Sequence, residues 1–319
     1  MSEDSAPWLS VIMPAHAGAS WIAATLDSLV AEADAGVEII VIDSSPTPDT
    51  LDIARQYVRR LSLRIIERRD LISWVEKTNL GVEIARGSHV TMLHQDDLWL
   101  PGRLSAMRRW TSGRPEAALH VAPSAIVDAV GRRLGLWRCP LPAHGNTVDG
   151  DLLIERLLVQ NFIAINAPVI RRDAWLNCGG LDPTLWYTAD WDLWLKLAAI
   201  GPTCSHGEIT TGFRVHGGSL TVSGSRNGAD FRQQMQIVLD RHVRRLPNDR
   251  AARVIRAAEA SITVNGALAA AAAGEARALL RGLCALLKLS PLGILRYFRD
   301  SRIVERVLPR LKARLAGTL

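Results

Sequence analysis

From Trp8 to Leu93 the chain alternates apolar runs with helical periods, and this alternation restricts the fold more than any other feature. Trp8 to Pro14 is apolar apart from Ser10, as expected of a strand covered on both faces, and Val37 to Asp43, Leu63 to Ile66 and His89 to Leu93 repeat the pattern. Between them, the small-residue turn Ala15-His16-Ala17-Gly18-Ala19-Ser20 leads into helical spacing from Trp21 to Ala31. Thr50 to Arg60 and Ser73 to Ala85 predict the next two helices, the latter ending before Gly87. Strands joined through helices form a mostly parallel sheet with helices on its faces, and such sheets gather ligands at the carboxyl ends of their strands. Asp43 and Asp96 both stand at such ends.

The strand from His89 runs directly into His94-Gln95-Asp96-Asp97. Two adjacent carboxylates at the end of a buried strand repel each other unless a cation or ligand shares their charge, which points to a divalent metal. A solvated turn ahead of Pro101 is the competing reading.

Beyond residue 119 the pattern is less regular. Residues 119–150 suggest antiparallel strands and loops, 151–160 a helix, 161–171 an extended segment, and 190–200 a helix stopped by Gly201-Pro202. From about residue 225 the signal is helical, with an Ala-rich stretch over 251–289 broken near Ser290-Pro291. The last helix carries Arg302, Arg306, Arg310 and Arg314 at four-residue steps beside Val304, Val307, Leu308, Leu311 and Leu315. The domains expected are 1–224, with halves 1–118 and 119–224, and a basic helical region 225–319.

The basicity belongs to that tail: residues 225–319 hold 18 Lys/Arg against 7 Asp/Glu, whereas residues 1–224 hold 20 against 25. A nucleic-acid-binding protein would need a basic footprint across its folded body, so no nucleic-acid partner is expected. The tail stripe suggests either a solvated face or docking on anionic lipid headgroups. Cys139, Cys178, Cys204 and Cys284 are scattered without metal-site spacing, and the acidic start Met1-Ser2-Glu3-Asp4 is unlike a secretory signal. The expected location is the cytoplasm, with peripheral attachment to the inner face of the membrane.

Taken in order, these segments resemble the family-2 glycosyltransferases. Leu9-Ser10-Val11-Ile12-Met13-Pro14 looks like that family's opening strand and Glu38-Ile39-Ile40-Val41-Ile42-Asp43 like its second. Asn79-x-Gly81 with Ala85-Arg86-Gly87 resembles the segment before the metal-binding strand. Asn161-Phe162-Ile163, Val169-Ile170-Arg171-Arg172, Gly179-Gly180-Leu181-Asp182, the run Ala189 to Leu197 and Phe213-Arg214-Val215-His216 resemble later blocks, so the likeness spans residues 8–220. It implies a GT-A-like mixed α/β fold with a mostly parallel sheet and, here, a C-terminal helical extension. The implied activity is inverting transfer from a nucleotide-diphosphate sugar to a hydroxyl of a glycan or lipid-linked glycan, in bacterial cell-surface polysaccharide biosynthesis, with Mn²⁺ or Mg²⁺ as cofactor.

On this resemblance Pro14, Ala15, His16, Asp43, Asn79, Gln95 and Asp96 would bind the donor, while Asp96, Asp97 and His216 would hold the metal. Asp190 would act as general base, because an acceptor hydroxyl must lose its proton as it attacks. Trp186 and Tyr187 would meet the acceptor. The chain departs from the family pattern at Ser44, at His94 in place of a leading acid, and at Ala189, and it lacks the Q-x-x-R-W block of processive synthases. A single-addition enzyme fits better than a polymerase, and the departures keep a catalytically silent sugar-nucleotide binder in view. A nucleotidyltransferase is disfavoured, since the turn over 15–20 has no Lys or Arg.

Overall fold

The computed structural model describes residues 6–32, 34–218, 228–315 and 317. Four parallel strands form the amino-terminal half in the order β3 (Leu63–Glu67), β2 (Val37–Asp43), β1 (Leu9–Ala15), β4 (His89–Met92). The sheet continues through β10 (Val169–Arg171), β6 (Leu119–Val121), β11 (Thr203–Ser205) and β9 (Thr147–Val148), with β10 antiparallel to both neighbours. A second sheet, absent from the sequence reading, orders β5 (Leu98–Trp99), β12 (Thr211–Arg214), β7 (Ser124–Val127) and β8 (Arg133–Trp137). It places residues 211–216 beside the segment that follows β4.

Every residue of β1 and β2 is buried, and their period of two divides the core. Leu9, Val11 and Met13 face α1 (Ile22–Val30), α2 (Asp49–Arg55) and α4 (Arg103–Gly113); Ile12, Ile40 and Ile42 face α3 (Trp74–Ile84). Each such aliphatic side chain contributes about 1.5–3 kcal/mol of burial.

The second core layer runs on without a break through α5 (Gly150–Val159), α6 (Arg172–Asn177) and α7 (Ala189–Ile200). It extends into α8 (Gly228–His242), α9 (Asn248–Ala272), α11 (Pro291–Ser301) and α12 (Ile303–Leu315), so the boundary at 224 does not separate two cores. α10 (Ala278–Leu287) packs on α9.

Three expected boundaries move. α2 stops at Arg55 and continues as turns. Within 161–171 only Val169–Arg171 pairs as strand. The rest is a buried loop whose polar groups bond locally or across: Asn161 Oδ1 accepts from Ile163 N, and Asn166 Nδ2 donates to Gly212 O at 3.1 Å. The Ala-rich stretch breaks first at Gly274, whose φ of +104° ends α9.

Candidate active site

A cavity of about 530 Å³ opens at the carboxyl ends of β1 and β4. Its wall takes Pro14–Ala17 from the first strand end, Trp74 and Lys77 from α3, His94–Asp97 from the loop after β4, Phe213 and Arg214 from β12, and Asp190 from α7. That volume suits a small-molecule ligand.

The loop after β1 is held from two sides. Gln95 accepts from His16 N and donates to His16 O, both at 2.9 Å. From the other side Ser45 Oγ accepts from Ala17 N at 2.8 Å and Thr50 Oγ1 from Gly18 N at 3.0 Å. Ala17 sits at φ +49°, a left-handed conformation that a non-glycine residue keeps only when its surroundings impose it. Beneath lies Lys77, 1% exposed, donating to Ala15 O and Ser44 Oγ at 2.7 Å each. Burial pushes its ammonium down to about 8, against the pull of the Asp43 carboxylate.

Asp96 and His216 meet across the wall, Oδ2 to Nε2 2.9 Å, and the His216 ring stacks on Trp21 at 4.4 Å. Burial tends to raise the Asp96 carboxyl, yet the His216 hydrogen bond and the charges of His94 and His216 hold it below the ordinary carboxylate range. A carboxylate oxygen and an imidazole nitrogen on one cavity wall suit Mn²⁺ or Mg²⁺ that keeps water and phosphate oxygens as its other ligands. Among the described residues no group of three or more His, Cys, Asp or Glu forms a closed metal site.

Asp97 lines the cavity beside Asp96. It is 2% exposed, and its Oδ1 accepts from Arg214 N at 2.9 Å. Burial, then the neighbouring Asp96 charge, raises its carboxyl well above the usual range. It fastens β12 to the loop, as does Arg214 Nε donating to Asp96 O at 2.6 Å.

At the start of α7, Asp190 accepts from Asn161 Nδ2 at 2.9 Å and Trp191 N at 2.8 Å. Burial pushes its carboxyl up to about 6, against those bonds and the Arg306 charge, which places it in the range suited to a general base. Trp186 and Tyr187 line the same cavity, steadied by Trp186 Nε1 to Asp230 Oδ2 at 2.9 Å and Tyr187 N to Gln234 Oε1 at 2.9 Å. Asp192 turns away: fully buried, it binds His242 at 2.7 Å and Arg241 and Lys196 at 3.0 Å, tying α7 to α8.

The cavity therefore gathers Pro14, Ala15, His16, Gln95, Asp96, Asp97, Trp186, Tyr187, Asp190 and His216. Two expected donor-binding residues lie outside its wall. Asp43 is 0% exposed and spends both oxygens on Ser45 N and Ser45 Oγ, a turn-forming role, while acting on Lys77 from below. Asn79 is consumed by the Leu181 backbone, donating to its O at 2.7 Å and accepting from its N at 3.0 Å. Lys77, Trp21, Trp74, Trp137, Arg214 and Arg306 line the cavity without having been expected there. Lys77 carried a signal, a cation inside an otherwise ordinary helix; Arg306 was hidden in the arginine stripe.

Residues 10–150 match the model of glycosyl transferase family 2. Over these residues the chain is similar to the family-2 glycosyltransferases. The match ends before Asp190, so it takes in the cavity wall from Pro14 to Trp137 but not the residues from 160 onward. A PGL/p-HBAD biosynthesis glycosyltransferase of Mycobacterium bovis is 28% identical over 189 residues, 59% of this chain and 68% of that protein. Staphylococcus aureus TarS 1–349 in complex with UDP-GlcNAc superposes with TM-score 0.56 at 15% identity, covering 91% of this chain and 89% of that one. Against a longer TarS chain the coverage is 79% of this chain and 43% of that one. Mannosyltransferase PcManGT from Pyrobaculum calidifontis, in complex with GDP-Man and Mn²⁺, gives TM-score 0.57 at 17% identity, covering 97% and 87%. These structural likenesses carry the fold, a GT-A-like α/β architecture with C-terminal helices.

Proposed function

We propose that this chain transfers a sugar from a nucleoside-diphosphate donor to a hydroxyl of a glycan or lipid-linked glycan, with inversion and with Mn²⁺ or Mg²⁺ beside Asp96 and His216. One observation carries the reading: a single cavity holds the Asp96–His216 pair for the diphosphate end and a carboxyl raised to about 6 for the acceptor end. The donors named for the TarS and PcManGT complexes, and the Mn²⁺ of the latter, support the substrate class.

When bound, a divalent ion neutralises charge on the departing diphosphate. The protein does the rest. The latched His16–Gly18 loop shapes the nucleotide end, and Trp21, Trp74 and His94 narrow the cavity against water. Asp190 takes the hydroxyl proton as the acceptor oxygen attacks the anomeric carbon from the side opposite the leaving group. Asn161 holds that carboxylate in place.

Nucleoside-diphosphate release from UDP- and GDP-sugars with Mn²⁺ tests the reading. Asp190→Asn should lower turnover at least about 100-fold with nucleotide affinity within about twofold. Full turnover in Asp190→Asn removes the base assignment, and nucleotide binding without any turnover in the wild type identifies a silent binder.

A peripheral attachment to membrane is part of the same proposal. Ten of the fifteen exposed large hydrophobic side chains among the described residues fall between Leu279 and Leu311, on three consecutive helices. Arg277, Arg281, Lys288 and Arg296 are exposed beside them, so the surface suits a bilayer containing anionic lipid. No single helix among the described residues is long and apolar enough to cross one. Flotation on phosphatidylglycerol vesicles should recover the full chain and lose Leu280→Glu/Leu283→Glu/Leu295→Glu; equal recovery removes the surface from consideration.

A further inference from the structure

The arginine stripe of α12 does not face solvent alone: Arg306 and Arg310 turn inward and share Trp137. Their guanidinium carbons lie 4.9 and 5.7 Å from the Trp137 ring, and both Trp137 and Arg306 line the cavity. Among the described residues their hydrogen-bond acceptors are backbone carbonyls, Asn161 O at 3.2 Å for Arg306 and Arg306 O at 2.8 Å for Arg310. Arg306 Nε–H is buried with no partner among those residues. Neither guanidinium lies within ion-pair distance of a carboxylate there, although Arg306 senses the Asp190 charge.

Gln160 adds a third donor. Its Oε1 accepts from Ser261 Oγ at 3.0 Å and Asn265 Nδ2 at 2.8 Å, which leaves its amide N–H groups for the cavity it lines. Arg306 and the Gln160 amide face one carboxylate, Asp190, at this end of the cavity, and Arg310 stands behind Arg306 over the same Trp137 ring. Two neighbouring guanidiniums repel each other, and burying uncompensated charge is costly, so the arrangement is stabilised by an oxyanion.

We propose that Arg306 and the Gln160 amide, backed by the charge of Arg310, form a phosphoryl-binding subsite on the acceptor side, so that the acceptor, or the group that anchors it, carries a phosphate. The proposal rests on the transferase reading for the word acceptor; the anion site itself does not. A phosphate joined to a lipid and a free phosphate share the recognised chemistry.

Calorimetric titration of the full chain, with and without saturating UDP or GDP and Mn²⁺, tests it with three probes: decyl phosphate, inorganic phosphate and decyl alcohol. Decyl phosphate should bind below its micelle concentration, weaken as NaCl is raised, and lose at least tenfold affinity in Arg306→Gln/Arg310→Gln with nucleotide affinity within twofold. Decyl alcohol should not compete. Inorganic phosphate binding as tightly as decyl phosphate would assign the subsite to a free phosphate group; weaker competition would assign it to a lipid-linked one.

Equal binding of decyl phosphate and decyl alcohol, or an unchanged affinity in the double variant, overturns the subsite and leaves the arginines as a clamp on Trp137. If that variant does not fold, Arg306→Lys/Arg310→Lys, which keeps the charge, and the salt dependence of the wild type decide the matter. Absence of nucleotide binding with phosphate binding intact would sink the transferase reading and spare this one.

Discussion

The acid limb of the pH–rate profile is the sharpest test of Asp190. With its carboxyl pushed up to about 6, Asp190 is the base in its ionised form only above that pH, so kcat/KM should fall tenfold per unit below it. The perturbation is Asn161→Ala, which removes the 2.9 Å hydrogen bond that favours the carboxylate. Loss of such a bond should raise the carboxyl by about one unit, equivalent to about 1.4 kcal/mol. At pH 6.5 the ionised fraction then drops from about three-quarters to about one-quarter, roughly a threefold loss of rate; at pH 8 it drops only from about 99% to about 90%. The variant should be impaired near neutrality and rescued by alkali.

Nucleoside-diphosphate release at subsaturating acceptor, from pH 5 to 8.5, gives both profiles. Nucleotide and Mn²⁺ affinity over the same range separates this limb from any titration of the Asp96–His216 pair. A wild-type rate flat from pH 5 to 8, or an Asn161→Ala loss equal at every pH, would refute the assignment, because a misplaced base is not restored by removing protons.

A Cβ on Gly18 would fall inside the Gln95 side-chain amide, so Gly18→Ala should break the pair of hydrogen bonds between Gln95 and His16 and cost at least tenfold in nucleotide affinity by calorimetry. Asp192 is held down to about 2 despite its burial, chiefly by its bond from His242 and by Lys196. Its contribution is complete above the ordinary carboxylate range near 4 and is lost as pH falls through about 2; Asp192→Asn should cost about 3–5 kcal/mol in urea melts at pH 7 and remove that acid step. A Cβ on Gly135 would lie 2.6 Å from Pro309 Cγ, so Gly135→Ala should loosen α12 and expose its arginines to trypsin before the rest of the chain unfolds.

The parallel half of the sheet was legible because β1 and β2 are buried on both faces and read as mainly apolar runs. The second sheet was not: β5 has two residues and β12 four, too few for a period to show. Among the site residues, strand-end position located Asp96 and the family pattern Asp190. Neither could say that Asp43 would spend its oxygens on Ser45, or that Asp97 would accept from Arg214 N at the cavity wall. The partner of Asp43 is two positions away and that of Asp97 is 117 positions away, so only the first could be found locally.

The last helix shows the limit most clearly. Its i, i+4 arginines and the apolar stripe beside them define two faces, and ordinary amphipathic logic turns the leucines inward. In α12 Pro309 packs on Gly135, an indole and backbone carbonyls receive Arg306 and Arg310, and Val304, Leu308 and Leu311 remain 50, 49 and 49% exposed. Aromatic faces accept guanidinium groups as readily as aliphatic ones accept leucine, so the pattern alone could not choose. One helix, about 10 Å across, then separates the apolar surface from the acceptor end of the cavity. A lipid anchor resting on that surface would hold a phosphate and sugar within reach of Arg306 and Asp190. Leu308→Glu should therefore slow transfer to a lipid-linked acceptor in vesicles while leaving donor hydrolysis unchanged; unchanged transfer, or an equal loss in both rates, would refute the link between the helix's two faces.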